Sequence, residues 1–363
     1  MAVYRYLFAD LLTNQVIAEL PLTDVNYTQS LNSFGTLSGH IQISDTAESS
    51  MNISNGTIPA RTALYVDRDN VLVWGGIIWQ RQYDSDSQSI YITAQEFESY
   101  FDHRRVTSTV TFTNTDQLAI ARSLITTAQS ATNGNIGVSV GTETSGVLVT
   151  RSINGYEQKS VFNAILDLSQ SNNGFDFGID VAYSSTGAIT KTFKLGYPLL
   201  GTRWSASTVS APVLEIPAGN LIKYTYTEDG STVANSYTVV GAGSNDGQIQ
   251  RTATNTNLLS AGWPLLQDVG NYVDITDPNL LGNLAIGRLT AAQYPPVNLQ
   301  VVVPPYVDPI LGTYGIGDDI RVRILDDFFP NGLDAVYRLV ALNVTPGETS
   351  GERATLSLTL KTY

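Results

Sequence analysis

Two glutamates separated by one residue are the side chains most able to support catalysis. Glu96 and Glu98 lie in a segment that continues to Asp102 and His103. Paired carboxylates serve glycoside hydrolysis, in which one carboxyl group donates a proton and the other acts as base or nucleophile. The pattern defines one hypothesis, a cell-wall glycoside hydrolase that uses Glu96 and Glu98.

The same segment has a structural interpretation that we favour. Phe97, Tyr100 and Phe101 recur at helical spacing, which predicts a short helix with its charges on the solvated face. Arg104 and Arg105 then lie near the helix C-terminus, where cations interact favourably with the helix dipole. We therefore predict no catalytic residue in this segment and expect that the protein is not an enzyme.

Composition restricts the other sites that the chain could build. Cysteine is absent from the 363 residues, which excludes disulfides and thiolate ligands, and the two histidines are His40 and His103. Both fit ordinary structural positions. The segment from residue 84 begins like a calcium loop, but Ser89 stands where an EF-hand needs glycine and Gln95 where it needs glutamate. We expect no metal site and no cofactor.

The charge is strongly acidic and unevenly distributed. The formal net charge of −13 divides into −6 for residues 1–105, −1 for 106–215 and −6 for 216–363. Tight binding of nucleic acid by this chain is disfavoured, because phosphate contacts depend on lysine and arginine. A run of about 18 apolar residues does not occur, so a membrane span is not expected.

Short alternating runs separated by turn residues dominate residues 1–105, which is typical of antiparallel strands. The segments 67–70 and 84–88 are predicted hairpin turns. Gly75 and Gly76 lie inside a strand pattern and indicate a bulge or bend of the kind that lets a sheet close. We predict a β-barrel-like domain over this range.

Helical periodicity then predicts a mixed α+β domain over residues 106–215. We place a helix cap at Asn114, followed by an apolar stripe, and a second helix from near Tyr156 to a C-terminal Gly174. The stripe consists of Leu118, Ala121, Leu124, Ile125 and Ala128. Residues 199–217 fit either this domain or a return to the first one, and we assign them to this domain.

The pattern over residues 216–363 is again β, with one helix. Asp277 is a suitable N-cap, Pro278 fits the first helical position and Pro295 ends the helix. The predicted fold class is therefore mainly β (β+α), with two β-barrel-like domains and the α+β domain inserted between them.

Segments along most of the chain form a further pattern. They are residues 9–14, 20–22, 31–39, 60–68, 73–79, 94–97, 115–121 and 315–322. Together they resemble minor tail proteins of long-tailed bacteriophages, especially those infecting actinobacteria. In order and spacing, the segments 60–68, 73–79 and 94–97 are similar to the hub (baseplate hub) domain of that family.

The resemblance implies a structural virion protein of the tail tip, made in the host cytoplasm. It implies a homotrimeric hub ring that joins the six-fold tail tube, or a distal tail protein, above to tail-tip and fibre proteins below. The tape measure protein and, transiently, DNA would occupy the channel. Two β units per chain would give a trimer six similar domains, which suits an adaptor between six-fold and three-fold rings. Because the sequence stops after the presumed last strand, we expect the hub alone.

A carbohydrate-binding or receptor-binding tail protein is the alternative function. The chain has 19 tyrosines and 4 tryptophans, which could stack on sugars where they are exposed. Most of them occupy predicted strand positions, so we expect them in the core. The acidity of both β segments leads to a separate hypothesis, a channel lining along which DNA slides without binding.

Overall fold

The computed structural model describes most of the chain, namely residues 2–43, 53–203, 211–216, 219–295, 297–347 and 351–360. Strands make up 44% and helices 18%. These fractions confirm the prediction of a mainly β fold. Most strands belong to one large sheet, and most helical residues belong to two units that interrupt it in sequence.

The N-terminal part of the chain supplies one half of the large sheet. Its strands are Tyr4–Asp10 (β1), Val16–Glu19 (β2), Thr23–Ser30 (β3), Thr36–Gln42 (β4), Thr62–Arg68 (β5), Val71–Asp84 (β6) and Ser89–Glu96 (β7). Two short helices accompany them, Ile53–Gly56 (α1) and Glu98–His103 (α2). Both predicted hairpin turns are confirmed, because they connect β5 to β6 and β6 to β7.

A first inserted unit follows, built from two helices and several short strands. Its elements are Val110–Asp116 (β8), Gln117–Ser130 (α3), Val138–Val140 (β9), Leu148–Ile153 (β10), Val161–Ser169 (α4), Asp176–Tyr183 (β11) and Ile189–Gly196 (β12). Strand β8 pairs with β10, while β12 pairs with both β11 and β9. The predicted apolar stripe of α3 is confirmed, since all five of its side chains are buried.

Both helices of this unit begin later than the sequence pattern predicts. The cap of α3 is Asp116, whose side chain accepts hydrogen bonds from the first helical turn, and the prediction of Asn114 is wrong. Asn114 lies in β8 with a left-handed backbone (φ 49°), and the helix starts later because β8 pairs with β10 as far as Asp116. Helix α4 is capped by Ser160, whereas Tyr156 lies in a preceding 3₁₀ turn and is 81% exposed.

The remaining residues form the other half of the large sheet and a second inserted unit. The elements are Val213–Glu215 (β13), Lys223–Glu228 (β14), Ser236–Val240 (β15), Gln250–Thr254 (β16), Thr256–Ser260 (α5), Gln267–Asn271 (β17), Pro278–Ala292 (α6), Val297–Val303 (β18), Asp319–Ile324 (β19), Leu333–Thr345 (β20) and Arg353–Leu360 (β21). The predicted start of α6 is confirmed, with Asp277 as cap and Pro278 in the first turn. Strands β15 to β17 form their own sheet, and together with α5 and α6 they make the second inserted unit.

One strand pair joins the two halves into a single sheet. Strands β3 and β20 are antiparallel, with Ser30 opposite Ala341 and Tyr27 opposite Val344. The order is β14-β18-β21-β20-β3-β4-β7-β6-β5-β1-β2, and β13 is attached through β19 to β20. In the described residues the end strands β14 and β2 do not pair with each other, so the sheet is open. The two β segments share this sheet because β3 and β20 satisfy each other's backbone edge.

Two hydrophobic cores lie on opposite faces of the N-terminal half. Neighbouring residues on a strand point to opposite faces, so β5 sends Leu64 into a core shared with the C-terminal strands and Tyr65 into a core shared with the first inserted unit. Phe8 and Leu7 on β1 divide in the same way. Burial on both faces explains the continuous apolar runs in these two strands.

The strand glycine Gly76 provides a test of this packing. A Cβ at Gly76 would lie 2.2 Å from the backbone carbonyl oxygen of Gln95 on β7. We expect Gly76→Ala to lower the melting temperature and to reduce the free energy of unfolding by at least about 1–3 kcal/mol. The control is Gly282→Ala on α6, where a Cβ meets nothing within 4 Å and a gain of about 0.5–1 kcal/mol is expected. A Gly76→Ala variant as stable as the wild type would contradict the close approach of β6 and β7.

Candidate functional site

Glu96 and Glu98 lie where β7 passes into α2, and both side chains are buried. Their exposed fractions are 8% and 5%, so the prediction of a solvated acidic face is wrong. Phe97 and Phe101 are buried, as the helical spacing predicts. The acidic face is covered because β11 of the first inserted unit packs against it, a contact that the local pattern could not reveal.

Each glutamate binds a backbone N–H group from a different part of the chain. Oε2 of Glu96 accepts a hydrogen bond from the N–H of Gly35, just before β4. Oε1 of Glu98 accepts one from the N–H of Ile179 on β11. Oε2 of Glu98 is buried and has no hydrogen-bond partner among the described residues. The carboxyl group of Glu96 thus attaches the end of β7 to the segment before β4, and that of Glu98 attaches α2 to the first inserted unit.

Burial raises the pKa of both carboxyl groups. The pKa of Glu98 rises to about 8, chiefly through burial, and the carboxylate of Asp180 adds to the rise. The pKa of Glu96 lies well above its ordinary value, first because of burial and then because of the charge of Glu98. Burial therefore favours the protonated form of both groups.

A cavity of about 440 Å³ lies beside the two glutamates, where three parts of the chain meet. Its ionisable lining groups are Glu96, Glu98, Asp180 and Lys194. Burial raises the pKa of Asp180, and the ammonium group of Lys194 partly offsets this rise. A second cavity of about 470 Å³ is also lined by Glu96, Asp180 and Lys194.

Asp176 connects three segments next to this cavity. Its carboxylate accepts hydrogen bonds from the guanidinium of Arg338 on β20, from Nδ2 of Asn32 at 2.7 Å and from the N–H of Leu200 at 2.9 Å. Oδ1 of Asn32 in turn accepts from the N–H of Phe177 at 2.8 Å. We call Asn32, Glu96, Glu98, Asp176 and Arg338 the three-way junction. It fixes the first inserted unit to both halves of the sheet.

A second buried ion pair binds the N-terminal strands to the C-terminal ones. Nε and Nη2 of Arg68 donate to the two carboxylate oxygens of Glu352 at 2.7 and 3.0 Å, and the hydroxyl of Tyr4 donates to the same carboxylate. Burial raises the pKa of Glu352, but the hydrogen bonds from Arg68 and Tyr4 outweigh it and hold the pKa below its ordinary value. This pair adds an ionic contact to the β3–β20 connection.

A buried cluster of four charges connects the two inserted units. Nη2 of Arg151 lies 3.4 Å from both Asp167 and Asp274, and Nζ of Lys159 lies 2.5 and 3.0 Å from the same two carboxylates. Arg151 and Asp167 belong to the first unit, whereas Asp274 precedes α6 in the second. The cluster is electrically balanced, as buried charges must be.

Sequence reasoning missed all three groups. The paired residues are far apart in the chain: 162 positions for Arg338 and Asp176, and 284 for Arg68 and Glu352. A buried charge requires a partner, but spacing does not identify which charges are buried.

The other candidates of the catalytic segment are not gathered around the glutamates. Asp102 accepts a hydrogen bond from Nδ2 of Asn163 at 3.4 Å, and the ring of His103 stacks on Trp79 at 4.4 Å. His103, Arg104 and Arg105 line a separate cavity on the first inserted unit. The segment thus divides between two sites.

The remaining polar candidates have structural partners. His40 lies on β4 with its ring 4.9 Å from that of Tyr91. Asp84 accepts hydrogen bonds from the N–H groups of Asp86 at 2.8 Å and Ser87 at 3.3 Å, which is a polar turn. Within the described ranges, no group of three or more histidine, aspartate or glutamate side chains is placed to hold a metal.

The tryptophans differ in exposure. Trp74 is fully buried, whereas Trp263 is 37% exposed with its ring 6.4 Å from that of Tyr294. Trp204 lies outside the described residues. The Trp263–Tyr294 pair is a surface aromatic feature of the kind that the sugar-binding alternative needs.

Known proteins share this fold at low sequence identity. The tail protein from Neisseria meningitidis MC58 has a TM-score of 0.60 and 13% identity, covering 98% of this chain and 96% of that one. The 43 kDa tail protein of prophage MuSo2 from Shewanella oneidensis has a TM-score of 0.58 and 12% identity, and the match covers 98% of each chain. An E. coli type VI secretion component, described as similar to T4 tail proteins gp27 and gp5, has a TM-score of 0.52 and 10% identity. The match covers 94% of this chain and 74% of that one.

These comparisons establish the fold of phage and prophage tail proteins over nearly the whole chain. They do not distinguish the actinobacteriophage type. No family model and no curated protein gives a significant match. No helix among the described residues is long and apolar enough to cross a membrane.

The raised pKa of Glu98 predicts how stability depends on pH. An acid whose folded pKa exceeds its unfolded value stabilises the fold fully below the unfolded value and loses that effect as pH rises towards about 8. Glu98→Gln mimics the protonated acid. The free energy of unfolding of Glu98→Gln should therefore rise relative to that of the wild type between about pH 5 and pH 8, by at most roughly 1.4 kcal/mol per pH unit.

The matched control for this measurement is Glu143→Gln at an exposed position, which should follow the wild type at every pH. A difference between Glu98→Gln and wild type that stays constant across this pH range would contradict the buried, protonated carboxyl group.

Proposed function

We propose that the protein is a structural component of a phage tail, the hub at the distal tail tip. It forms a homotrimeric ring between the six-fold tail tube and three-fold tip or fibre proteins, within the virion. The observation that carries this proposal is the tail-protein fold, which covers at least 96% of two such proteins and 98% of this chain. The type VI component with stated likeness to gp27 and gp5 supports the same assignment.

The arrangement of the sheet supports an adaptor role. Its two halves, β1–β7 and the strands β14 and β18–β21, are joined by the β3–β20 pair and the buried Arg68–Glu352 contact. A rigid connection of two β units in each protomer would let three copies present six units to the tube. The excess carboxylates of both β segments would line a channel that repels DNA phosphates. A ring structure with these carboxylates outside the channel would contradict this channel lining.

A structural role also accounts for the glutamate pair better than catalysis does. A glycosidase needs one protonated and one ionised carboxyl group with access to substrate. Here both carboxyl groups are buried, both have raised pKa values, and each accepts a backbone hydrogen bond. We therefore propose that Glu96 and Glu98 hold the three-way junction together and that the protein has no hydrolase activity.

The ring is tested by the mass of the purified chain. Light scattering after size exclusion should give three times the 39.2 kDa chain mass. The three-way junction variant Glu98→Gln serves as the control and should give the same mass, because glutamine mimics the protonated acid. A monomer at the highest soluble concentration would contradict the trimer.

The absence of hydrolase activity is tested on cell-wall substrate. Dye release from labelled peptidoglycan should not exceed that of buffer for the wild type or for the double variant Glu96→Gln/Glu98→Gln. Release by the wild type that the double variant loses, with its fold intact by circular dichroism, would establish catalysis and contradict the structural role.

A further inference from the structure

A basic cavity of about 400 Å³ lies on the first inserted unit, away from the three-way junction. Its charged or ionisable lining residues are His103, Arg104 and Arg105, and Val110 and Phe112 are part of its apolar wall. The volume lies in the range of ligand pockets. We call this cavity the arginine pocket.

The arginine pocket is an exception in an acidic protein. Among the described residues, no aspartate or glutamate lines it, although the chain carries a net charge of −13. In the part of the chain that the structure describes, neither Arg104 nor Arg105 forms an ion pair with a carboxylate. Among the same residues, Nε of Arg104 is buried without a hydrogen-bond partner, while Nη2 donates to the carbonyl of Ala128 at 3.0 Å and the guanidinium lies over the ring of Tyr100. The pocket therefore presents unpaired positive charge beside apolar surface.

The loop between β19 and β20 has the complementary chemistry. Leu325 and Phe328 are 63% and 66% exposed, and the exposed Asp327 lies between them. The loop is held in shape by Asp326, whose Oδ1 accepts from the N–H groups of Phe328 at 3.0 Å and Phe329 at 2.9 Å. Two large apolar side chains and a carboxylate thus project from a fixed turn, which we call the acidic loop.

We infer that the acidic loop of one copy of this chain occupies the arginine pocket of the next. The carboxylate of Asp327 would face Arg104 and Arg105, and Phe328 would cover the apolar wall. The two surfaces are different parts of one chain, so the contact is head-to-tail, and repeating it generates a ring when the rotation closes. This inference rests on the proposed ring and names the surfaces that form it.

The chemistry favours a second copy over a nucleic acid. A basic pocket could take a phosphate, but nucleic-acid binding needs many phosphate contacts, and the rest of this chain is acidic. A rigid aromatic side chain beside a carboxylate matches both walls of the pocket, and aromatic anchors with charged neighbours are typical of strong interface contacts. This contact would also cover the exposed side chains of Leu325 and Phe328 and the apolar wall of the arginine pocket.

A charge-swap experiment on the full chain tests this interface by sedimentation equilibrium. Arg105→Glu and Asp327→Arg should each raise the dissociation constant for self-association by about tenfold or more. The double variant Arg105→Glu/Asp327→Arg should return to within about threefold of the wild type. The controls are Arg251→Glu and Asp86→Arg, which make the same charge changes at exposed positions elsewhere and should leave self-association unchanged.

The outcomes separate this interface from the proposed ring. A wild-type monomer would overturn both. An oligomer unaffected by either single change would overturn this interface and leave the ring standing. In a third outcome, Arg105→Glu weakens self-association, Asp327→Arg alone does not, and the double variant does not restore it. The pocket then binds another segment or a phosphate, and the acidic loop is overturned as its occupant.

Discussion

The antiparallel pairing of β3 with β20 is the interaction on which the rest of the structure depends. It joins strands from the two ends of the chain into one sheet and removes two edges that would otherwise expose unpaired backbone groups. The buried Arg68–Glu352 pair and the three-way junction connect further distant segments of the chain. Each contains charged groups that would be costly to bury without partners, so these contacts fix one relative arrangement of the units.

The glutamate pair contributes to the same connection between units. In sequence, Glu96 and Glu98 look like catalytic carboxylates or surface charges, and the structure buries both side chains. Their carboxyl groups accept N–H groups from Gly35 and Ile179, which belong to two different units. His103, at the end of α2, and Arg105, just after it, line the arginine pocket. One short segment therefore contributes to both the three-way junction and the arginine pocket.

Local features were predictable from the sequence and long-range ones were not. The hairpin turns, the buried stripe of α3 and the Asp277 cap of α6 depend on neighbours a few residues away, and all are confirmed. The cap at Asn114 failed because pairing with β10 extends β8 by two residues. The burial of Glu98 and the partner of Asp176 could not be predicted, since each depends on a segment more than 80 positions away.

We propose that this chain forms a three-fold ring with an open channel. The most direct measurement is a cryo-EM reconstruction of the purified chain with no symmetry imposed. We expect a three-fold axis, a continuous sheet across β3 and β20 within each protomer, and a central channel. Particles without a three-fold axis, or a closed disc without a channel, would contradict it.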